Sequence, residues 1–255
     1  MNITKFLNKV YFAPRLKEIE QYTSHAGELQ QLVLQRLVRT AANTEWGKKH
    51  DYASIRTYED FKKRLPIQTY EEVKPYVTRL RAGEQNLLWP SEIRWFAKSS
   101  GTTNDKSKFL PVSRESLHDT HYKGGRDAVA IYLGQNPESR FFSGKGLILG
   151  GSHAPNLNTN HSLVGDLSAI LIENINPLVN FVRVPSKQTA LMEHFEPKME
   201  AIALDEMYER IEQLCREAGV NVTTMCREAG VPRSALSDYK AGRIKSLAAD
   251  KLAKI

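Results

Sequence analysis

Hydrophobic residues recur at helical spacing in the first part of the chain. From Glu28 to Ala42 they stand three or four positions apart with polar residues between them, which predicts an amphipathic helix. A second helix is predicted to begin near Thr57, because Asp60 stands where the acid of a capping box lies, and to end before Pro66. The N-terminal part therefore begins as a series of amphipathic helices.

Short apolar runs without a helical period follow. We predict a short strand at residues 93–97, which leads into a polar loop, and buried strands at residues 146–151 and 167–172, which are bounded by glycine or aspartate. Strands that alternate with helices predict an α/β fold for this part. From residue 204 to residue 255 only short amphipathic helices separated by glycine are predicted, so we place a domain boundary near residue 205, before an all-α C-terminal domain.

Composition narrows the class of protein. The chain has 255 residues, of which 41% are hydrophobic and 25% charged, so wholesale disorder is excluded. The net charge of +7 is too small to identify a nucleic-acid-binding protein without a basic patch. We expect a cytoplasmic protein with no membrane partner, since no apolar run approaches the length of a membrane span, about 20 residues. We also expect no metal site, because the two cysteines, Cys215 and Cys226, favour core packing over zinc binding.

A polar loop follows the predicted strand at residues 93–97. Hydroxyl and backbone N–H groups donate to phosphate oxygens, glycine lets the backbone approach closely, and lysines supply positive charge. The spacing is not that of a Walker A loop, and an ordinary surface loop rich in serine and threonine remains an alternative. The candidate nucleotide-binding residues are Ser99, Ser100, Gly101, Thr102, Thr103, Lys106, Ser107 and Lys108.

Motifs on both sides of this loop resemble those of the auxin-responsive GH3 family of acyl-acid amido synthetases, within the adenylate-forming superfamily. The resemblance extends over residues 1–203 and matches the N-terminal part of the family's sequences. The motifs that carry it are Thr44–Gly47, Tyr58–Phe61, Leu65–Ile67 with Thr69–Glu71, Gly83–Glu84, Leu88–Pro90, Phe96–Lys108 and Gly165–Ser168.

The resemblance implies a ligase that uses ATP and Mg²⁺ to adenylate a carboxylic acid, releases pyrophosphate, and passes the acyl group to an amine such as an amino acid. It implies that Ser99 to Lys108 hold the phosphates, and it assigns no catalytic residue. Later family motifs for adenine, ribose and Mg²⁺ are absent, so we expect residues 1–204 to be a truncated segment of an incomplete adenylate-forming fold that does not turn over alone.

Residues 207–255 resemble a second family. The order of residues 221–243 is similar to the Cro/CI-type, lambda-repressor-like (XRE) helix-turn-helix, which implies DNA binding, usually as a homodimer, with residues 233–241 as the recognition helix. A small helical packing unit with solvated charges is the alternative, and the domain, residues 205–255, is expected to be truncated after its fourth helix. The candidate DNA-binding residues are Arg233, Ser234, Ser237 and Asp238 for bases, and Thr223, Lys240, Arg243 and Lys245 for phosphates.

Two functions are therefore predicted for a fusion-like chain. The main prediction is a transcription-regulator type protein that binds double-stranded DNA without a cofactor, because a helix-turn-helix needs few helices of its own. The alternative is an acyl-adenylating amido synthetase whose partners are ATP, a carboxylic acid and an amino acid.

Overall fold

The computed structural model describes residues 3–99, 108–241 and 243, and the chain divides into two compact units. The first unit consists of Met1–Gly144 and His153–Leu171, and the second consists of Lys145–Ser152 and Ile172–Ile255. The helices of the first unit are α1 (Ile3–Leu7), α2 (Ala13–Ser24), α3 (Ala26–Ala41), α4 (Glu45–Lys49), α5 (Tyr58–Arg64), α6 (Tyr70–Arg81), α7 (Arg114–Ser116) and α8 (Lys123–Gln135).

A three-stranded sheet lies at the centre of the first unit. Its middle strand is β1 (Trp95–Lys98), which pairs antiparallel with β2 (Phe109–Val112) and parallel with β4 (Leu163–Gly165). Successive side chains of a strand point to opposite faces. Phe96 accordingly belongs to a cluster with side chains of α6, whereas its neighbour Ala97 belongs to a cluster with Val112, Leu117 and Ile170.

The second unit is mainly helical. Two short strands, β3 (Gly146–Leu147) and β5 (Arg183–Val184), pair in parallel. Its helices α11 (Phe195–Glu217), α12 (Val222–Glu228) and α13 (Arg233–Lys240) share a core of buried side chains that includes both free cysteines. The other α-helices among the described residues are α9 (Leu167–Asn174) and α10 (Lys187–Ala190).

The predicted start of α5 is confirmed. The Thr57 hydroxyl accepts a hydrogen bond from the backbone N–H of Asp60 at 3.2 Å, and the Asp60 carboxylate accepts one from the N–H of Thr57 at 2.9 Å, which completes a capping box. The helix ends at Arg64, before Pro66. The predicted helix over residues 28–42 is observed as α3.

The strand prediction at residues 167–172 is wrong, because this segment forms the first part of α9. A short apolar run has no periodicity that separates a buried strand from a buried helix. The run at residues 146–151 forms a strand only over Gly146–Leu147. The described chain is therefore mostly helical with small sheets, and the predicted α/β class applies to it only in part.

The boundary predicted near residue 205 falls within α11, which continues from Phe195 to Glu217. The division into an N-terminal and a C-terminal domain at that point remains a prediction. Across the described ranges we find no helix that is both long and apolar enough to cross a membrane.

Candidate functional site

The ends of the candidate nucleotide loop are held together by the β1–β2 hairpin. The backbone N–H of Ser99 donates to the carbonyl of Lys108 at 2.9 Å, and the N–H of Lys108 donates to the Ser99 hydroxyl at 3.1 Å. These two bonds continue the strand pairing by one residue beyond Lys98 and Phe109. The other predicted residues of the loop, Ser100, Gly101, Thr102, Thr103, Lys106 and Ser107, lie outside the described residues.

A cleft of about 1200 Å³ lies in the first unit beside these hairpin ends; we call it the α6 cleft. It is formed by α6, the end of β1, the start of β2 and the segment 157–161. The cationic side chains that line it are Lys74, Arg81, Lys98 and Lys108, with His161 beside them, and Glu71 is the carboxylate among the lining residues.

Two of these cations rest on aromatic rings. The Arg81 guanidinium carbon lies 3.9 Å from the centroid of the Phe109 ring, and the Lys108 ammonium lies 5.5 Å from that of Tyr70. The Tyr70 hydroxyl is itself fixed, because it accepts a hydrogen bond from the N–H of Phe109 at 3.0 Å. The strand residue Phe109 and its contact Tyr70 therefore fix positive charge at one wall of the cleft.

The hydrogen-bond donors of the Arg81 guanidinium are only partly paired within the described residues. One guanidinium nitrogen, Nη2, donates to the carbonyl of Leu157 at 2.7 Å. Its Nε is buried and has no hydrogen-bond partner among the described residues. A buried donor without a partner is costly, so the stacking of the guanidinium on Phe109 and the bond to Leu157 must offset this cost.

The segment 157–161 is attached to the end of α6. The Thr159 hydroxyl donates to the carbonyl of Arg81 at 3.0 Å and accepts from the N–H groups of His161 and Ser162. Gly83 follows α6 with φ of +105°, and a Cβ placed on it would lie only 2.8 Å from Cγ of His161. This close approach places the His161 ring against the turn after α6.

Glu115 of α7 anchors the segment before β1. Its carboxylate accepts hydrogen bonds from Nε1 of Trp89 at 3.1 Å and from the hydroxyl of Ser91 at 2.8 Å. Partial burial acts to raise the pKa of Glu115, but hydrogen bonds from Ser91, Trp89, Ser113 and the backbone outweigh it, so the pKa is lowered and the carboxylate stays charged.

A chemically different buried site was not predicted from the sequence. The Lys198 ammonium of α11 donates to the carbonyls of Gly150 and Gly151 at 2.7 and 2.8 Å. Gly150 and Gly151 end a predicted strand, and nothing in the spacing of the sequence indicates that they contact a lysine 47 or 48 positions away.

The residues predicted to bind DNA lie on or near α12 and α13. The Arg233 side chain is hydrogen bonded to Tyr208, which raises its pKa. Lys240 lies 4.0 Å from the centroid of the Tyr208 ring, and Arg243 forms an ion pair with Asp238 at 2.7 Å. Thr223 and Ser234 are exposed, Ser237 is half-buried, and Lys245 lies outside the described residues.

Comparison with known proteins identifies the class to which this fold belongs. The family model described as GH3 family N-terminal domain matches residues 15–233. A solved structure of the GH3.15 acyl acid amido synthetase matches with a TM-score of 0.66 and 17% sequence identity. The match covers 93% of this chain and 45% of the synthetase chain. The chain therefore belongs to the GH3 family and has the fold of that family's N-terminal part.

Individual relatives agree with this assignment. Indole-3-acetic acid-amido synthetase GH3.5 of Arabidopsis thaliana is 33% identical over 104 residues, which is 40% of this chain and 17% of that protein. Jasmonoyl-L-amino acid synthetase JAR4 of Nicotiana attenuata is 32% identical over 110 residues, 41% of this chain and 18% of that protein. The matched region thus spans about a sixth of the length of these relatives.

The comparisons contradict the DNA-binding function predicted for residues 205–255. The family model continues through α11 and α12 to Arg233. Residues 1–204 make up four fifths of the chain, so a structural match covering 93% must extend well into the C-terminal helices. The prediction of a Cro/CI-type domain with double-stranded DNA as its partner is wrong, and the described cations Arg233, Lys240 and Arg243 instead contact neighbouring side chains of the same unit.

Proposed function

We propose that this chain binds the phosphates of ATP as part of an ATP-dependent acyl-acid amido synthetase. The observation that carries the proposal is the β1–β2 hairpin, whose paired ends at Ser99 and Lys108 hold a loop rich in hydroxyls and lysines within a GH3 fold. The nucleotide-binding residues proposed are those named from the sequence, from Ser99 to Lys108.

The proposed roles follow from donor chemistry. Serine and threonine hydroxyls and backbone N–H groups of the loop donate to phosphate oxygens, and Lys106 and Lys108 offset their negative charge. In the reaction class of the family, a carboxylate oxygen bonds to the α-phosphorus as pyrophosphate leaves, and an amine nitrogen then bonds to the acyl carbon as AMP leaves.

Mg²⁺ would accompany the nucleotide. It is bound mainly through substrate phosphates and one or two carboxylates, and among the residues with described positions no group of three or more histidine, cysteine, aspartate or glutamate side chains forms a ready-made site. We therefore assign the ion no protein ligand. When bound, it would neutralise charge on the phosphates.

The substrate is proposed only as a class. The relatives are named for two different acids, indole-3-acetic acid and the jasmonoyl group, so the proposal is a carboxylic acid joined to an amino acid. A reducing, cytoplasmic setting is proposed as well, and the free, buried thiols of Cys215 and Cys226 support it.

Isothermal titration of the full chain with ATP and Mg²⁺ tests this function. Thr102→Val removes one hydroxyl donor of the loop at constant shape, and Thr40→Val removes a hydroxyl from an exposed position of α3. We expect binding to wild type and to Thr40→Val, with about tenfold weaker binding to Thr102→Val. Absence of ATP binding, or equal affinity for all three proteins, would show that the loop is not a phosphate-binding loop.

A further inference from the structure

The first helix of the chain carries apolar side chains on its outer side. From Ile3 to Ser24 the backbone is helical without a break, since α1 passes through a π-helical segment (Asn8–Phe12) into α2. Ile3, Phe6 and Val10 stand three and four positions apart and so lie on one side of this helix. These residues are 53, 46 and 54% exposed. We call them the N-terminal stripe.

The opposite side of the same helix is fixed to its own unit. Phe12 is buried in a cluster with side chains of α8, and its ring stacks on that of Phe142 with 5.5 Å between the centroids. The buried guanidinium of Arg15 forms an ion pair with Asp127 at 2.6 Å. These contacts determine the rotation of the helix about its axis, so the N-terminal stripe faces outward and cannot turn inward.

Positive charge accompanies the stripe. The first 17 residues contain Lys5, Lys9, Arg15 and Lys17 and neither aspartate nor glutamate. Lys5 is paired with Glu138 at 2.7 Å, and Arg15 is paired within the unit as described above. Lys9 and Lys17 are exposed and form no ion pair with any described residue. Lys17 stands seven positions after Val10 and therefore extends the same side of the helix.

An aromatic ring and a further cation lie next to the stripe. Tyr11 follows Val10 and is 52% exposed. The guanidinium carbon of Arg126 lies 5.3 Å from the centroid of the Tyr11 ring. Tyrosine combines an apolar ring with a polar hydroxyl, which suits the boundary between an apolar and an aqueous medium. Exposed apolar residues beside cations are typical of helices that lie in the surface of a membrane.

The charges distinguish between possible partners of the stripe. A second copy of the chain, bound through the same face, would bring the unpaired Lys9 and Lys17 of both copies together, and like charges disfavour such an arrangement. Anionic lipid headgroups instead attract basic side chains close to a membrane surface. An anionic lipid surface therefore complements both the apolar residues and the cations of this helix.

We propose that the N-terminal helix docks on an anionic lipid surface. Ile3, Phe6 and Val10 enter the boundary between headgroups and acyl chains, while Lys9 and Lys17 contact headgroup phosphates. A helix that lies in the membrane surface does not span the bilayer, so this mode needs no long apolar segment. The expectation of no membrane partner considered only spanning segments. The inference is independent of the proposed function, because none of these residues belongs to the candidate nucleotide loop.

Co-sedimentation of the full chain with lipid vesicles tests the proposal. The vesicles consist either of phosphatidylcholine alone or of equal parts of phosphatidylcholine and phosphatidylglycerol. We expect binding to the anionic vesicles that weakens as salt increases, and much weaker binding to the neutral vesicles.

Two substitutions in the helix separate the apolar from the charged contribution. Val10→Gln should bind the anionic vesicles about tenfold more weakly. Its matched control is Val33→Gln, since Val33 of α3 is also a helical valine with similar exposure, 46%. Lys9→Gln should bind them about fivefold more weakly, and Lys48→Gln, at an exposed lysine of α4, is its control. Both controls should bind as wild type does, and far-ultraviolet circular dichroism establishes that the variants are folded.

Three results would overturn the proposal: no binding of wild type to the anionic vesicles, equal binding to neutral and anionic vesicles, or equal losses for Val10→Gln and Val33→Gln. Light scattering without vesicles supplies a further test. A mass that doubles for wild type and returns to that of one chain in Val10→Gln would also overturn it, because the stripe would then bind a second copy.

Discussion

Replacing Gly83 by alanine should destabilise the first unit by about 2–3 kcal/mol. Gly83 has φ of +105°, a conformation that costs an L-residue about 1–2 kcal/mol. The added Cβ would lie 2.8 Å from Cγ of His161 and 3.1 Å from Cδ2 and Nδ1, so the ring must move by several tenths of an ångström. Because His161 is exposed and can shift, we assign this overpacking only about 1 kcal/mol, the low end of its usual range.

Urea denaturation followed by circular dichroism measures this loss. Gly125→Ala is the matched control. Gly125 lies in α8 with no atom within 4 Å of a new Cβ, so alanine should stabilise the helix by about 0.5–1 kcal/mol. A loss below about 0.5 kcal/mol for Gly83→Ala would refute the argument from backbone strain and close approach.

Other substitutions test the remaining parts of the fold. Asp127→Asn should cost about 3 kcal/mol in urea denaturation at pH 7, because Asp127 accepts two hydrogen bonds from the buried guanidinium of Arg15, at 2.6 and 2.7 Å. The same Arg15 hydrogen bonds lower the pKa of Asp127, so the contribution of the carboxylate to the free energy of unfolding is present above about pH 4 and is lost as the pH falls through the lowered pKa. The difference in free energy of unfolding between wild type and Asp127→Asn should therefore narrow on acidification. A difference that does not depend on pH would contradict the pairing. Thr57→Ala should cost about 1 kcal/mol by removing the capping-box hydroxyl, measured against the exposed Thr40→Ala. Leu236→Ala, at a fully buried position, should lower stability by about 2–5 kcal/mol, and a loss below 1 kcal/mol would show that the helical core of the second unit is loosely packed.

Patterns of neighbouring residues predicted those helices and strands whose ends are set by interactions between neighbouring residues. The capping box of α5 depends on Thr57 and Asp60, three positions apart, and both its start and its end could be predicted. The run at residues 167–172 could not be assigned from sequence, because burial on all sides removes the alternation that distinguishes a strand from a helix. There Ile170 donates its N–H to the carbonyl of Asp166, four residues earlier, as a helix requires.

The candidate site was predicted only where it is contiguous. The loop from Ser99 to Lys108 is one continuous stretch of sequence, so its polar composition was enough to predict it as a candidate site. The α6 cleft combines residues of α6, both hairpin strands and residues 157–161, and no spacing along the chain connects them. The strand pairing, the packing of α6 on Phe96 and the hydrogen bonds that join Arg81 to Leu157 and Thr159 bring these residues together.

The helix-turn-helix prediction shows the limit of short helical patterns. The helices α12 and α13 are present, and Cys226, Leu236 and Tyr239 are buried in their core. A glycine turn between two short amphipathic helices is, however, a solution that many helical folds use. The family match from residue 15 to residue 233 distinguishes a GH3 segment from a helix-turn-helix domain, whereas the spacing of apolar residues does not.

Phosphorus-31 NMR of ATP titrated with the full chain tests most directly whether the loop from Ser99 to Lys108 receives the phosphates of ATP. The account predicts that the resonances of the phosphates shift or broaden with wild type and with Thr40→Val, and much less with Thr102→Val. Unchanged phosphate resonances with wild type, or equal changes with Thr102→Val, would contradict it.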